Sequence, residues 1–153
     1  MKRFGLIGYP LGHSFSKIYF EEKFEKMGID SSHRYDILEL EFLKDFPSLW
    51  ERHEDLVGVN VTVPHKINIM RFLDRLDSSA QKVEAVNVVK RDGSKLIGYN
   101  SDVYGFKKSL EGWLKKLAAA PSDALILGTG GSSEAVQIAL LELGLDFQCV
   151  SRR

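Results

Sequence analysis

Val57-Gly58-Val59-Asn60-Val61-Thr62-Val63-Pro64-His65-Lys66 is the stretch from which the rest of the chain can be read. Its four valines recur at every second position, the period of a strand with one buried face. Gly58, Asn60 and Thr62 then fall on the opposite face, so two hydrogen-bonding side chains project together from one rigid element. Pro64 has no N–H and ends the ladder. Lys66 heads the run Ile67, Ile69, Met70 and Leu73, which predicts a helix with Lys66 at its positive end. A cation there is disfavoured by a few tenths of a kcal/mol up to about 1 kcal/mol. The same field draws a lysine toward proton exchange near neutrality. Spacing alone also fits a surface lysine after a core strand, which is the commoner meaning of such a pattern.

Upstream, Phe4-Gly5-Leu6-Ile7-Gly8 reads as a first strand, followed by a loop through Tyr9-Pro10 to Ser16. Phe20, Phe24 and Met27 predict a helix over 17–27, stopped by Gly28 and capped by Ser16. A strand over 34–40 and a helix over 42–52, broken or restarted at Pro47, lead to the valine strand. Downstream, a short helix over 78–83 precedes a strand pair, 85–90 and 95–98, across Asp92-Gly93-Ser94. A long helix over 103–117 carries the apolar stripe Phe106, Leu110, Trp113, Leu114 and Leu117. Ala118 to Asp123 reads as a domain boundary, dividing residues 1–120 from 121–153.

Beyond it comes a buried strand, Ala124 to Leu127, then the turn Gly128-Thr129-Gly130-Gly131-Ser132-Ser133, a helix over 134–143 and a strand over 146–150. The alternation of strands and helices predicts an α/β fold, an open and mostly parallel twisted sheet flanked by helices. Strand, glycine turn and helix together suit a pyrophosphate, because glycines let backbone N–H groups approach it and the helix N-terminus attracts it. A tight turn with no ligand is the alternative, and Glu134 would place a charge near a bound phosphate. Arg152 and Arg153 stand where an acidic residue would bind the ribose of NAD; guanidinium groups there suit the 2′-phosphate of NADP. Read otherwise, they are a charged chain end.

Ser14 and Ser16 flank Phe15 at the carboxyl edge of the sheet, where open α/β folds bind ligands. Two hydroxyls two residues apart can both donate to one carboxylate, although Ser16 by itself is better read as a helix cap. Asp102 reads either as the cap of the long helix or as the partner of a base. His13 stands in the same loop as the serines, where a histidine is more often exposed or structural.

The 153 residues contain 44% hydrophobic residues, enough for one core or one small domain and part of another. Lys+Arg and Asp+Glu each number 21, a balance that suggests neither a nucleic-acid nor an anionic-membrane partner. No apolar run approaches the roughly 18 residues of a membrane span. One cysteine, Cys149, excludes an intrachain disulfide, and the four histidines lack metal-ligand spacing. A soluble, cytoplasmic protein is expected.

The motifs Gly8-Tyr9-Pro10-Leu11-Gly12-His13-Ser14-Phe15-Ser16, Asn60-Val61-Thr62-Val63-Pro64-His65-Lys66, Glu84-Ala85-Val86-Asn87, Gly98-Tyr99-Asn100-Ser101-Asp102-Val103-Tyr104-Gly105 and Gly128-Thr129-Gly130-Gly131, in that order, resemble the shikimate dehydrogenase family over the whole chain. The resemblance implies NADPH-dependent reduction of 3-dehydroshikimate to shikimate, on the route to aromatic amino acids. It implies that Ser14 and Ser16 bind the substrate carboxylate. Thr62, Asn87 and Asp102 would bind ring hydroxyls with Asn60 nearby, and Lys66 would be the general acid/base paired with Asp102. Gly128, Thr129, Gly130, Gly131, Ser132, Ser151, Arg152 and Arg153 would hold NADP on the first β-α-β of a Rossmann domain. The implied partner is a small molecule and the assembly a monomer or homodimer. The chain departs from the family at Lys17, where proline is usual, at Tyr19-Phe20, where His-Asn is usual, and at Ser151-Arg152-Arg153, where Asn-Arg-Thr is usual.

Members of the family continue for roughly another half-domain, so the resemblance implies a truncated chain. As it stands, the chain is expected to fold over 1–120 and to keep a mobile or edge-paired tail. It would bind shikimate weakly and catalyse no turnover. A relative that uses quinate as well as shikimate, or a binding-only fragment, are the competing expectations.

Overall fold

A computed structural model describes residues 1–12, 14–119 and 121–151. Two sheets form. The larger has six strands in the order β2-β1-β3-β5-β6-β4 and the smaller pairs β7 with β8. The strands of the larger sheet are β1 (Lys2–Ile7), β2 (His33–Ile37), β3 (Leu56–Val61), β4 (Arg75–Leu76), β5 (Val88–Asp92) and β6 (Lys95–Tyr99). β1 is parallel to β2 and β3, and β4 to β6. β5 is antiparallel to both of its neighbours, so it alone runs against the other five. The expected α/β architecture, mostly parallel and flanked by helices, is what the chain forms.

Period-2 alternation sorts the side chains onto two faces. Ile7, Val59 and Val61 enter one core with Phe46, Leu49 and Trp50 of α2 (Phe46–Arg52). Leu6 and Tyr35 enter a second core with Phe20 and Phe24 of α1 (Phe15–Lys26). The valine strand keeps the expected parity only at Val59 and Val61. A register shift opposite Arg3 and Phe4 puts Leu56 in the core and leaves Val57 part-buried. Val63 lies past the strand end and is 68% exposed. It leaves the core because the chain turns at Pro64.

Three further expectations change, while the helical reading of 42–52 with a restart at Pro47 holds. The helix expected from Lys66 is a short 3-10 segment, Asn68–Phe72. Its apolar side chains dock individually, with Ile69 fully buried in the first core. Lys66 therefore does not head an α-helix of its own. Helix α1 begins at Phe15, and its cap is Ser14, whose Oγ accepts from the Ser16 N–H at 3.2 Å; Ser16 is not the cap. The segment over 42–52 is a 3-10 turn, Leu43–Asp45, running into α2 with Pro47 in its first turn, where a missing N–H costs nothing. The long helix, α4 (Asp102–Leu114), buries no residue fully: Phe106 and Trp113 face outward, and only Leu110 and Leu114 of the expected stripe pack against the second unit.

That second unit holds β7 (Asp123–Leu127), α5 (Gly131–Glu142) and β8 (Asp146–Val150), the strands parallel. Ile126, Leu140 and Leu145 form its small core. α5 is tied to α4 and to α3 (Ser78–Val83) through Glu142, which bonds both Lys107, at 2.9 Å, and Lys82.

Candidate active site

Topology collects the site. The C-terminal ends of β1, β3 and β6 lie together, and β5, running the other way, begins beside them: Asn60 pairs with Val88, and Val88 with Tyr99. Residues just past these ends are therefore neighbours although far apart in sequence. Lys66 follows β3, Asn87 precedes β5 and Asp102 follows β6.

Lys66 Nζ donates to Asp102 Oδ2 at 2.7 Å, and Asn87 Nδ2 donates to Asp102 Oδ1 at 2.6 Å. Both carboxylate oxygens are thus held. Lys66 and Asp102 are part-buried, where a charge-assisted bond is stronger than in open water. Asp102 is the lysine's partner and not a cap. Its own N–H donates to Asn100 Oδ1 at 2.8 Å, and Asn100 Nδ2 donates to the Ala85 carbonyl at 3.0 Å. Asn87 is locked in turn: its Oδ1 accepts from the Ser101 N–H at 2.9 Å. Asn100, buried and fully engaged, had no role assigned from sequence; its place two residues ahead of a helical Asp, where an Asx turn forms, is the signal that could have found it.

Thr62 lies between this cluster and β1. Its N–H donates to the Ile7 carbonyl, and Gly8 approaches so closely that a Cβ there would stand 2.5 Å from Thr62 Cγ2. Gly8 is needed for that approach. Asn60 emerges on the α1 face of β3, where its Oδ1 accepts from Tyr35 Oη at 2.8 Å. Ser16 stands in the first turn of α1. Ser14 and Ser16 thus stand at the start of α1, and Asn60 is held by a tyrosine of the core that α1 covers. His65, also unassigned from sequence, is buried and bonds the Leu40 carbonyl through Nε2 at 2.5 Å, pinning the segment that carries Lys66.

The second unit faces this edge. A cleft of about 470 Å3 separates Val63, Pro64 and Lys66 from Gly128, Gly130 and Ser132. Lys66 Nζ reaches Ser132 Oγ across it at 3.5 Å. Gly128 has φ +114°, a conformation that side-chain-bearing residues avoid. A Cβ on Gly128 or Gly130 would meet no atom within 4 Å, so the space over the turn is open. Thr129 Oγ1 donates to Ser151 Oγ at 3.3 Å, joining the turn to the end of β8. Gly131 is the first residue of α5. Arg152, Arg153 and His13 lie outside the described residues. Among the described residues no group of three His, Cys, Asp or Glu could hold a metal, and no helix is long and apolar enough to cross a membrane.

Comparison with known proteins agrees with this arrangement. The profile described as the shikimate dehydrogenase substrate binding domain matches residues 6–89, which include Ser14, Ser16, Asn60, Thr62, Lys66 and Asn87 and stop short of Asp102. A protein of Methanococcus maripaludis named shikimate dehydrogenase (NADP(+)) is 42% identical over 140 residues, covering 91% of this chain and 49% of the relative. Shikimate dehydrogenase from Aquifex aeolicus superposes with a TM-score of 0.88 at 32% identity, over 100% of this chain and 56% of that one. Shikimate 5-dehydrogenase from Thermus thermophilus, solved in complex with NADP(H) and shikimate, superposes at 0.85 with 32% identity, over 99% and 56%. The chain thus spans about half the length of the curated relatives it matches. With the profile covering more than half of its residues and the strand-end cluster in place, this chain belongs to the family of the shikimate dehydrogenase substrate binding domain.

Proposed function

We propose that the chain carries the catalytic and substrate-binding part of a shikimate dehydrogenase, which interconverts 3-dehydroshikimate and shikimate with NADP(H). The observation that carries this reading is the Lys66–Asp102–Asn87 constellation facing an open glycine turn. Hydride arriving at a ketone leaves an alkoxide, which needs a proton from a donor within hydrogen-bond reach. Lys66 Nζ is that donor. Asp102 keeps it aimed, and Asn87 keeps the second carboxylate oxygen occupied. In the oxidising direction neutral Lys66 takes the hydroxyl proton. Thr62, Asn87 and Asp102 receive the ring hydroxyls, and Ser14 and Ser16 the carboxylate, with Asn60 alongside.

NADP(H), when bound, supplies or accepts the hydride at its nicotinamide. The residues fit such a group. Gly128 to Ser132, with Ser151 beside them, leave room for a pyrophosphate at the N-terminus of the 12-residue helix α5. Arg152 and Arg153 select NADP over NAD by pairing with the 2′-phosphate, a proposal resting on residue type. The relatives' names and the NADP(H) and shikimate in the Thermus structure support the choice of ligands and favour a dehydrogenase over a binding-only protein. The proposal includes a boundary near residue 120, a cytoplasmic location and a monomer or homodimer.

The proposal has a binding half and a turnover half, and the 153 residues by themselves are expected to bind shikimate. Calorimetry with shikimate tests the binding half, and absence of binding would overturn the reading. Turnover is tested in a fusion that places residues 1–119 ahead of the remaining part of the Thermus enzyme. There Lys66→Met should lower kcat by about 10²- to 10⁴-fold, the usual worth of a general acid, with little change in shikimate affinity. A fusion variant with near-normal kcat would remove Lys66 from its role.

A further inference from the structure

Tyr35 lies in the middle of β2 and has no role in the reading above. Its ring is buried and stacked on Phe20, with centroids 4.5 Å apart and planes 9° from parallel. Its hydroxyl is the point of interest. It donates to Asn60 Oδ1 at 2.8 Å. Burial pushes the phenol's pKa up, so the group remains an O–H donor across the neutral range.

A donor on Oδ1 decides which way an amide faces. With the carbonyl oxygen turned to Tyr35, Asn60 must present its NH2 elsewhere. No described residue accepts from that NH2. Asn60 stands in β3, two positions before Thr62, and Ser16 stands in the first turn of α1. One buried hydroxyl therefore sets the amide on the strand arm of the site.

We propose that Tyr35 is a positioning residue, holding the Asn60 amide with its donor side toward the substrate. The proposal rests on the shikimate reading for its ligand. An amide set this way offers donors only, so it favours a ligand oxygen at that place and rejects an ammonium or N–H group.

Tyr35→Phe keeps the ring and its stack while removing the hydroxyl. In the ligand-free 153-residue chain, ¹⁵N relaxation of the Asn60 side-chain amide should show it ordered, and mobile in Tyr35→Phe. Calorimetry with shikimate should give a Kd raised about fivefold to tenfold, the worth of one hydrogen bond. Adding Tyr35→Phe to Asn60→Ala should raise it no further. Equal amide order in the two proteins, a Kd within twofold of the parent, or the same penalty in both backgrounds would overturn the proposal. Asn60→Asp retains an acceptor for the phenol and removes the two donors. It should weaken shikimate at least as much while the melting temperature holds, and unchanged affinity would again overturn the idea. If the parent chain binds no shikimate, the dehydrogenase reading fails, and the amide relaxation alone decides for Tyr35.

Discussion

The six-stranded sheet and the β7-α5-β8 unit contain the same kinds of element but bury them differently. In the first, both faces are covered around β1 and β3, by α2 on one side and α1 on the other, and Ile7, Phe46 and Ile69 are fully enclosed. In the second, one helix covers one face; Leu127 is 79% exposed, and Leu125 and Val150 are more than half exposed. A two-stranded pair is marginal in water unless something covers it. The difference teaches that the substrate side of the site is held by a closed core. The glycine turn is held mainly by the packing of α5 on α3 and α4 and by the ionic link at Glu142.

Hydrogen exchange offers the sharpest way to break this comparison. Amides of β1 and β3 should exchange at least about 10³-fold more slowly than those of β7 and β8, because local opening scales with buried contacts. Equal protection in a demonstrated monomer would make the two units one cooperative body. Next in size is a pair of truncations. Phe46→Ala should cost about 3–5 kcal/mol in urea unfolding, as a fully enclosed aromatic does. Leu127→Ala should stay within about 0.5 kcal/mol, and a larger loss there would show that its exposed face is covered in solution.

The ionic link is the third test. Hydrogen bonds from Lys82, and then from Lys107, hold the Glu142 carboxyl down from 4.5 to about 2. A depressed carboxyl stabilises the state that contains it above its unfolded pKa and loses that contribution as pH falls through the folded one. Protection of α5 amides should accordingly decline between about pH 4.5 and 2, ahead of β3, and the decline should disappear in Glu142→Gln. A titration identical in the two proteins would remove Glu142 as the tie. The smallest effect concerns Glu84, which closes α3 at φ +52°, in the left-handed region. Glu84→Gly should raise stability by about 0.5–1 kcal/mol, since glycine enters that region without a Cβ clash. A loss of stability would mean that the Glu84 side chain makes up for its backbone.

How far the sequence reached follows from what each signal depends on. Alternation at Val59 and Val61 placed β3 and set Asn60 on the opposite face, because a period of two is a property of the strand alone. The register shift at Val57 and the turn after Val61 came instead from the neighbouring chain. Glycines and Pro64 marked the turns, since they act through their own dihedral limits. The ordered motifs located Lys66, Asn87 and Asp102. Other features depended on contacts between distant segments. Apolar spacing after Lys66 suited an α-helix, yet Ile69 had a core to fill and the chain took a 3-10 turn to reach it. Ser14 and Ser16 suit a cap equally by type, and only the entry angle of α1 chose Ser14. Tyr35 was one aromatic in a strand until parallel pairing with β1, and of β1 with β3, set its hydroxyl against Asn60. Residue identity by itself determined which chemistry was available, because donors, charges and backbone limits belong to single residues. Only the tertiary structure decided which donor meets which acceptor, because a hydrogen bond exists only where the fold brings both ends within about 3 Å.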